Sequence, residues 1–288
     1  MLYKDNKILA VFLLPTVLLI LIFLYYPFLA NIKNSFFDMT SFIDANSDFI
    51  GLENYKTLLV DKAFRNALFN TFKLMVFVVI FQVGIALLLA VFVSNIKKGA
   101  SFFRIVYFFP IVISATAIGL MFTLFYEYNY GMLNQLLISI GKEPVVWLSK
   151  ENAFTMLMIP VIWQYVGFYF VLILTGISGI PKDIYEASAI DGADGFKNFI
   201  YITLPLLKGT INVCIILALT GALKVFDMLW VIAPKGAPGG STHVLGTYLY
   251  SQTFDSGNID FGATIAVFLV LFGIIISQIS NFIFREKD

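Results

Sequence analysis

The sequence has few of the side chains on which enzymes and nucleic-acid-binding proteins depend. Its 288 residues include a single cysteine, Cys214, and a single histidine, His243. An internal disulfide is therefore excluded, and so is a histidine dyad or a metal cluster of the usual kind. Charged residues make up 13% of the chain and the formal net charge is +1, which excludes a basic surface for nucleic acid. No G-x-x-x-x-G-K-[ST] string occurs, so the sequence predicts no phosphate-binding loop of that type.

Apolar surface is what the sequence has in excess. Hydrophobic residues make up 59% of the chain, with 31 Phe and 14 Tyr, and the mean hydropathy is +0.88. A soluble domain averages about 45–50% apolar and about 25% charged residues. This composition is typical of a chain that is solvated by lipid and has aromatic rings at the membrane–water interfaces. Cys214 lies in an apolar run and is interpreted as a small core residue.

The apolar residues are grouped into runs of membrane-spanning length. A helix crosses the hydrocarbon core with about 20 residues. The sequence therefore predicts an all-α integral membrane protein with six transmembrane helices. The first is interpreted as a retained helix rather than a signal peptide, because its apolar run is too long and no A-x-A-like cleavage site follows it. The six predicted spans are residues 8–29, 71–93, 105–126, 155–177, 209–232 and 261–284.

The distribution of Lys and Arg predicts the orientation of these spans, because cytoplasmic loops are enriched in both residues. The loops 30–70, 127–154 and 233–260 are long and carry seven of them. The other set of loops contains both termini and residues 178–208, is much shorter, and carries ten. Both termini and the segment 178–208 are therefore expected in the cytoplasm. The ten residues of the denser set are Lys4, Lys7, Lys97, Lys98, Arg104, Lys182, Lys197, Lys208, Arg285 and Lys287.

Residues 186–207, EASAIDGADGFKNFIYITLPLL, form a polar stretch that is longer than a turn between two spans requires. Pro181 favours a helix start just before it. Asp191-Gly192 favours a break in that helix, because glycine tolerates the positive φ of a helix end. The first helix combines one acidic residue with small side chains that would permit close approach by another protein: Glu186, Ala187, Ser188 and Ala189.

A second short helix is predicted after the break. Asp194 can cap it, and Leu204-Pro205 ends it before the next span. Two interpretations of the whole segment stay open from the residues alone. It is either a docking surface for a cytoplasmic partner or an interfacial re-entrant turn that packs beneath the helix bundle. The predicted apolar face of the second helix consists of Phe196, Phe199, Ile200 and Thr203.

The same stretch resembles the EAA loop of ABC importer permeases, whose pattern runs E-A-A, then D-G-A, then an aromatic residue, then L-P. The matching positions include Phe199, Leu204 and Pro205, whereas Ser188 replaces the second alanine of the triplet. In that family the loop is a coupling helix that seats in a cleft of a cytoplasmic ATPase. The resemblance therefore implies that coupling to the ATPase involves Glu186, Ala187, Ser188, Asp191, Gly192 and Ala193.

Further resemblance covers nearly the whole chain. The strings YYPFLANIKNSF, FIGLENYKTLLVDKAFRNALFNT and GMLNQLLISIGKEPVVWL are similar to segments of the maltose/glycerol-phosphate-type sugar permeases, specifically the first member of a permease pair. GALKVFDMLWVIAPKGAPGGSTHVLGTYLY resembles their K-x-F-D segment, with departures at Ala233-Pro234 and Ala237. The resemblance implies a type I ABC importer permease fold. It also implies an N-terminal helix and external loop at 1–66 and a core permease domain at 67–288, with the coupling loop at 180–207.

This family would make the chain a transport subunit rather than an enzyme, with no cofactor of its own because ATP and magnesium are bound by partner subunits. The implied partners are a second homologous permease, two cytoplasmic ATP-binding subunits, an extracytoplasmic sugar-binding protein and the lipid bilayer. The implied cargo is a carbohydrate, imported by alternating access across a bacterial cell membrane. We expect a di- or oligosaccharide, but importers of monosaccharides share these motifs, and a polyol or glycerol phosphate stays open as the cargo.

Two other functions make different demands on the sequence. A secondary transporter would require internal repeats and carboxylates within the spans, but no clear repeat is present and Asp227 is the one acidic residue inside a predicted span. A membrane enzyme would require a catalytic constellation at one interface, and none is evident.

Polar and aromatic residues inside the spans are the candidates for a cargo path. The aromatic group in the fourth span could instead be an ordinary interfacial belt, and Lys224 and Asp227 could form a structural ion pair on one helical face. Gln82 and Gln278 are interpreted as interhelical hydrogen-bonding residues, and His243 as part of a solvated external loop. The candidate path residues are Trp163, Gln164, Tyr165, Phe168, Tyr169, Lys224, Phe226 and Asp227.

Overall fold

The computed structural model describes residues 6–39, 47–96, 98–190, 192–193 and 195–284, and within these ranges it is almost entirely helical. Two strands of two residues each, β1 (Phe37–Asp38) and β2 (Asp48–Phe49), pair antiparallel with Phe37 opposite Phe49. The helices are α1 (Asn6–Ile20), α2 (Tyr26–Asn34), α3 (Glu53–Val60), α4 (Lys62–Phe77), α5 (Gly84–Ser94), α6 (Ala100–Val112), α7 (Ala115–Tyr126), α8 (Met132–Ser139), α9 (Ala153–Ser178), α10 (Lys182–Ile190), α11 (Gly195–Asn198), α12 (Leu204–Leu206), α13 (Lys208–Lys224), α14 (Asp227–Ile232), α15 (Leu245–Tyr250) and α16 (Ile259–Phe284).

Short π-helical turns continue several of these helices without a break. They occupy Leu21–Tyr25, Val78–Val83, Phe199–Thr203 and Ser251–Asp255, and a 3₁₀ turn occupies Pro234–Gly236. The all-α class expected from the sequence is confirmed by this architecture.

The chain divides into two compact units, residues 1–64 with 249–271 and residues 65–248 with 272–288. In the first unit, the Asn54 amide donates to the Asp260 carboxylate at 3.0 Å, and the rings of Phe64 and Phe268 pack edge to face at 5.0 Å. The functional division expected at residue 66 stays a prediction.

The second unit is built around α9, which packs against α5 and α6. Two small side chains of α5, Ala86 and Ala90, are fully buried one turn apart, so the two backbones approach closely. On α9, Gly167 lies so near the Tyr107 carbonyl of α6 that a side chain at this position would overlap it. Small residues at these contacts are how helices associate in a membrane, where lipid is as apolar as the side chains it competes with.

Four helices are long and apolar enough to cross a membrane: Val11–Asn34, Lys62–Ser94, Ala153–Ser178 and Ile259–Phe282. They contain most of the predicted first, second, fourth and sixth spans. Two helix pairs qualify as further spans, but each is sharply bent. Ala100–Val112 and Ala115–Tyr126 meet at 93°, and Gly195–Leu206 and Lys208–Lys224 meet at 69°.

The structure divides the third and fifth predicted spans each into two helices. The third bends where Ile113 turns to an extended conformation and the Ser114 hydroxyl caps the next helix by accepting from the Ala117 N–H at 3.2 Å. The fifth was expected to run unbroken over 209–232. It stops instead at Lys224, Val225 is extended, and α14 begins at Asp227. An acidic residue in a first helical turn favours that start, since it faces the positive end of the helix dipole.

We expect Gly167→Ala to destabilise the second unit. The added methyl would push α9 away from the Tyr107 backbone, and overpacking of this kind typically costs about 1–3 kcal/mol. The measurement is the thermal unfolding temperature and monodisperse yield of the purified chain in detergent.

The matched control is Gly84→Ala, because a side chain at Gly84 would meet nothing within 4 Å. Equal stability of the two variants would contradict the close approach of α9 and α6.

Candidate functional site

The EAA segment (residues 180–207) folds as two helical arms joined by a hinge. The first arm is α10, which follows Pro181. The second arm runs continuously from α11 through the turn Phe199–Thr203 into α12. At the hinge, Gly192 has a φ of +78°, and the Ala193 N–H donates to the Ser188 carbonyl at 2.9 Å, which satisfies one of the last carbonyls of α10. The predicted helix, break and second helix are present, while Asp191 and Asp194 lie outside the described residues.

The side chains of α10 face in different directions from those expected. Glu186 and Ala187 are exposed, as a docking surface requires, but Ser188 is 6% exposed and faces the second arm. Its small size therefore serves packing inside the segment rather than close approach by another protein. Gly192 is exposed and Ala193 is half-buried.

Two large apolar side chains at the tip of the EAA segment were missed as site residues. Ile190, the last residue of α10, is 88% exposed, and Phe196 on the second arm is 77% exposed. Phe196 was predicted on the inward face with Phe199, Ile200 and Thr203, which are half-buried or buried. The sequence did contain a signal for Ile190. It immediately precedes the helix break at Asp191-Gly192 and does not share a helical face with the two small residues before it. Exposed apolar side chains of this size are candidates for a contact surface.

Three candidate path residues converge on one cavity. A cavity of about 170 Å³ lies between the turn Val78–Val83, α9 and α13. It is lined by Tyr165, Tyr169 and Lys224. Gln82 lies in the same wall and donates to the Val161 carbonyl at 2.8 Å. The remaining lining residues are small or apolar: Val78, Val161, Ala218, Gly221, Ala222 and Val225. The combination of aromatic faces, a hydroxyl, an amide and an ammonium group can bind a polar ring compound.

The other residues of the predicted aromatic group lie outside this cavity. Gln164 is buried and donates to the Ile113 carbonyl at 3.0 Å, so it satisfies the backbone group freed by the bend between α6 and α7. The ring of Trp163 packs against Phe122 at 6.0 Å. Phe168 packs edge to face on Tyr169 at 5.3 Å and supports that ring from outside the cavity wall.

The predicted one-face geometry of Lys224 and Asp227 is wrong. The two residues lie on different helices, because the chain is extended at Val225 and Phe226 has a φ of −137°. Among the described residues, neither forms an ion pair within 4 Å. Phe226 stacks on Trp230 at 5.5 Å with an interplanar angle of 18°, which fixes the start of α14 rather than lining the cavity.

Three other polar residues can be compared with their predictions. The interhelical hydrogen bond of Gln82 is confirmed. Gln278 is exposed and makes no hydrogen bond to the described part of the chain. His243 is not solvated: its ring is buried against Gly236, and Nδ1 lies 3.2 Å from the Thr247 hydroxyl. A buried imidazole is tolerated here because this hydroxyl supplies a hydrogen-bond partner.

Comparison with known proteins identifies the class to which this fold and this loop belong. Residues 82–287 match the model of the family described as "Binding-protein-dependent transport system inner membrane component". The chain belongs to this family. It is a permease subunit of an ABC sugar importer, and its named relatives are transport permeases rather than enzymes.

The relatives match over almost their full length. The chain is 34% identical to the probable ABC transporter permease protein YurN of Bacillus subtilis, covering 98% of each chain. It is 31% identical to the sulfoquinovosyl glycerol transport system permease protein SmoG of Agrobacterium fabrum, over 99% of this chain and 92% of that protein. It is also 31% identical to the trehalose/maltose transport system permease protein MalF of Thermococcus litoralis, over 96% and 92%.

A solved structure confirms the type I importer permease fold. The chain superposes on one subunit of a bacterial ABC transporter that imports the acidic polysaccharide alginate, with a TM-score of 0.86, 26% identity, and coverage of 98% of this chain and 96% of that one. A second structure of a bacterial alginate transporter, in complex with a periplasmic protein that holds an alginate pentasaccharide, gives a TM-score of 0.87 at 25% identity.

We expect Gln82→Leu to lower the stability of the chain by about 0.5–1.5 kcal/mol, the net contribution of one hydrogen bond, because the buried bond from the Gln82 amide to the Val161 carbonyl of α9 is lost. Thermal unfolding in detergent measures the change.

Gln278→Leu is the matched control, since it removes the same amide from a residue that bonds to no described group. A loss of stability in both variants, or in neither, would contradict the structural role assigned to Gln82.

Proposed function

We propose that this permease imports a carbohydrate by alternating access, and that its EAA segment transmits the closure of partner ATP-binding subunits to the membrane helices. The observation that carries the proposal is the exposure of three side chains of that segment: Ile190 and Glu186 on the first arm and Phe196 on the second. Exposed apolar anchors next to a fixed charge are the features of a surface that seats in a protein cleft. The proposed coupling residues are Glu186, Ala187, Ser188, Asp191, Gly192 and Ala193. Ser188 is buried, so it contributes by packing within the segment.

The proposed assembly has this chain paired with a second homologous permease, two ATP-binding subunits on the cytoplasmic side, and a sugar-binding protein outside. Lys and Arg density supports this orientation, with both termini in the cytoplasm of a bacterial cell. ATP and magnesium are bound by the partner subunits. The domain division at residue 66 belongs to the same proposal, with the N-terminal helix and first external loop preceding the core.

The proposed cargo is a di- or oligosaccharide. Tyr165 and Tyr169 offer ring faces and hydroxyls in one cavity, and Lys224 and Gln82 offer hydrogen-bond donors. Relatives are named for sulfoquinovosyl glycerol, trehalose/maltose and arabinooligosaccharides, so carbohydrate is the chemistry they share. The other candidate path residues lie outside this cavity and act indirectly, by holding the helices that form the path. They are Trp163, Gln164, Phe168, Phe226 and Asp227.

The test is affinity purification of the chain from native membranes, followed by mass spectrometry. We expect a second permease and an ATP-binding subunit to be recovered with it. Recovery of the chain alone, with transport in proteoliposomes in the absence of ATP, would overturn the proposal in favour of a secondary carrier.

We expect Ile190→Gln and Phe196→Gln each to weaken binding of the permease pair to its ATP-binding subunits by about ten- to a hundredfold. Burial of a large apolar side chain contributes about 1.5–3 kcal/mol, and the polar replacement removes most of it.

Glu186→Ala is expected to raise the ATP hydrolysed per sugar imported, because the docking charge is lost. Titration in lipid nanodiscs and coupled uptake assays measure the two effects.

Ile140→Gln is the matched control for these variants. Ile140 is also a large exposed side chain, but it lies on the loop predicted to face outside. If Ile140→Gln weakened ATPase binding as much as Ile190→Gln, the docking role of the EAA segment would be wrong.

We expect Tyr169→Phe and Lys224→Gln to raise the KM of uptake by about three- to tenfold each, the effect of one hydrogen bond to the cargo. The maximal rate should change less. The measurement is uptake into proteoliposomes of the sugar recovered from the co-purified binding protein, with Tyr130→Phe as the control because Tyr130 is exposed outside the cavity. Unchanged KM in both variants would exclude the cavity from the cargo path.

A further inference from the structure

Four residues connect the two arms of the EAA segment in a ring of hydrogen bonds that is closed through Tyr185, whose backbone carbonyl and side-chain hydroxyl are its two ends. The Ser188 hydroxyl of α10 donates to the Tyr185 carbonyl at 2.9 Å. The same oxygen accepts from the Asn198 amide of the second arm, also at 2.9 Å. These are the two short bonds of the ring, and the second of them is a direct side-chain link between the arms.

The rest of the ring returns through the turn Phe199–Thr203. The Thr203 hydroxyl donates to the Asn198 amide oxygen at 3.4 Å and lies 3.4 Å from the Tyr185 hydroxyl. Since a hydroxyl has one proton and Thr203 donates it to Asn198, Tyr185 is the donor in the last pair. The two 3.4 Å contacts are weaker than those of Ser188, but the side chains of Ser188, Asn198 and Thr203 each donate and accept, and bonds in such a chain polarise one another.

The ring lies where the segment has little else to hold its shape. The first arm has nine residues and the second runs from Gly195 to Leu206, and isolated helices of such lengths are marginal in water. The backbone N–H groups of Gly192 and Ala193 bond back to α10 at the hinge, but a side chain at Gly192 would meet nothing within 4 Å, so packing adds little to these bonds. Ser188 and Thr203 are both buried, which makes their hydrogen bonds costly to break.

We propose that Ser188 and Asn198 are positioning residues that hold the two arms at one angle, so that Ile190 on the first arm and Phe196 on the second meet the ATP-binding subunit together. This inference rests on the docking role proposed above for the same segment. The alanine that the EAA pattern has at position 188 could make neither bond of Ser188. The clamp is therefore a property of this sequence and not of the loop pattern.

The first test is a double-mutant cycle in the complete complex. The permease pair in lipid nanodiscs is titrated with the ATP-binding subunits that co-purify with it, using Ser188→Ala, Asn198→Ala and the double variant. We expect each single change to weaken binding by about three- to tenfold, and the double change to be no worse than the stronger single one, because all three remove the same bond. The matched control is Ser178→Ala, whose hydroxyl bonds to the Leu174 carbonyl of its own helix.

The second measurement gives the distance between the two arms, which does not depend on how strongly the ATP-binding subunits bind. Spin labels are placed at Asp183 and Lys197, which are exposed on the first and second arms, in a Cys214→Ala background. We expect Ser188→Ala and Asn198→Ala to broaden the distance distribution between the labels in the assembled complex, while Ser178→Ala leaves it unchanged.

The outcomes separate the clamp from the docking role. If the two single effects multiply in the double variant, or if the label distances stay narrow while Ile190→Gln still weakens ATPase binding, the clamp is wrong and the docking role stands. If Ile190→Gln also leaves ATPase binding unchanged, the docking role fails, and the clamp as a positioning device fails with it.

Discussion

The structure depends on one constraint, which is that a peptide group in hydrocarbon has no water to bond with and must find its partner within protein. Straight helices meet this requirement by themselves, but this chain bends or breaks helices within its candidate spans. The bend after Val112 frees the Ile113 carbonyl, and the buried Gln164 amide of α9 donates to it at 3.0 Å. The Ser114 hydroxyl accepts from a backbone N–H of the helix that follows. The polar residues of these spans therefore serve the backbone as well as any cargo.

A polar side chain in the spans is subject to the same constraint, and this is evident in the wall of the proposed cargo cavity. Gln82 reaches the Val161 carbonyl from the turn Val78–Val83, and this bond lies in the wall that carries Tyr165. The break after Lys224 ends α13 at the cavity, so the ammonium group lies at a helix end and not along a continuous span. A side chain that would be costly in lipid is thus placed where a polar ligand or water can reach it.

In water a backbone group can bond to solvent, so short helices gain little stability from their own hydrogen bonds. The EAA segment compensates with side chains that bond between its arms, and this leaves Ile190 and Phe196 exposed at its tip. Rigid presentation of apolar anchors is a general way to reduce the entropy cost of association. The proposed transmission of motion between subunits also needs a fixed internal geometry, since a loose hinge would absorb the movement.

The sequence by itself determined that this chain is a helical membrane protein with an EAA-type segment, because hydropathy and the local pattern of Pro, Gly and small residues are properties of neighbouring residues. Tertiary structure decided the rest. The bends at Ile113 and after Lys224, the inward direction of Ser188 and the burial of His243 depend on which helix or loop lies opposite. The group that satisfies the Ile113 carbonyl is 51 residues away in the chain. No pattern of adjacent residues encodes a partner at that separation. The convergence of Tyr165, Tyr169 and Lys224 became evident only once α9 and α13 had packed together.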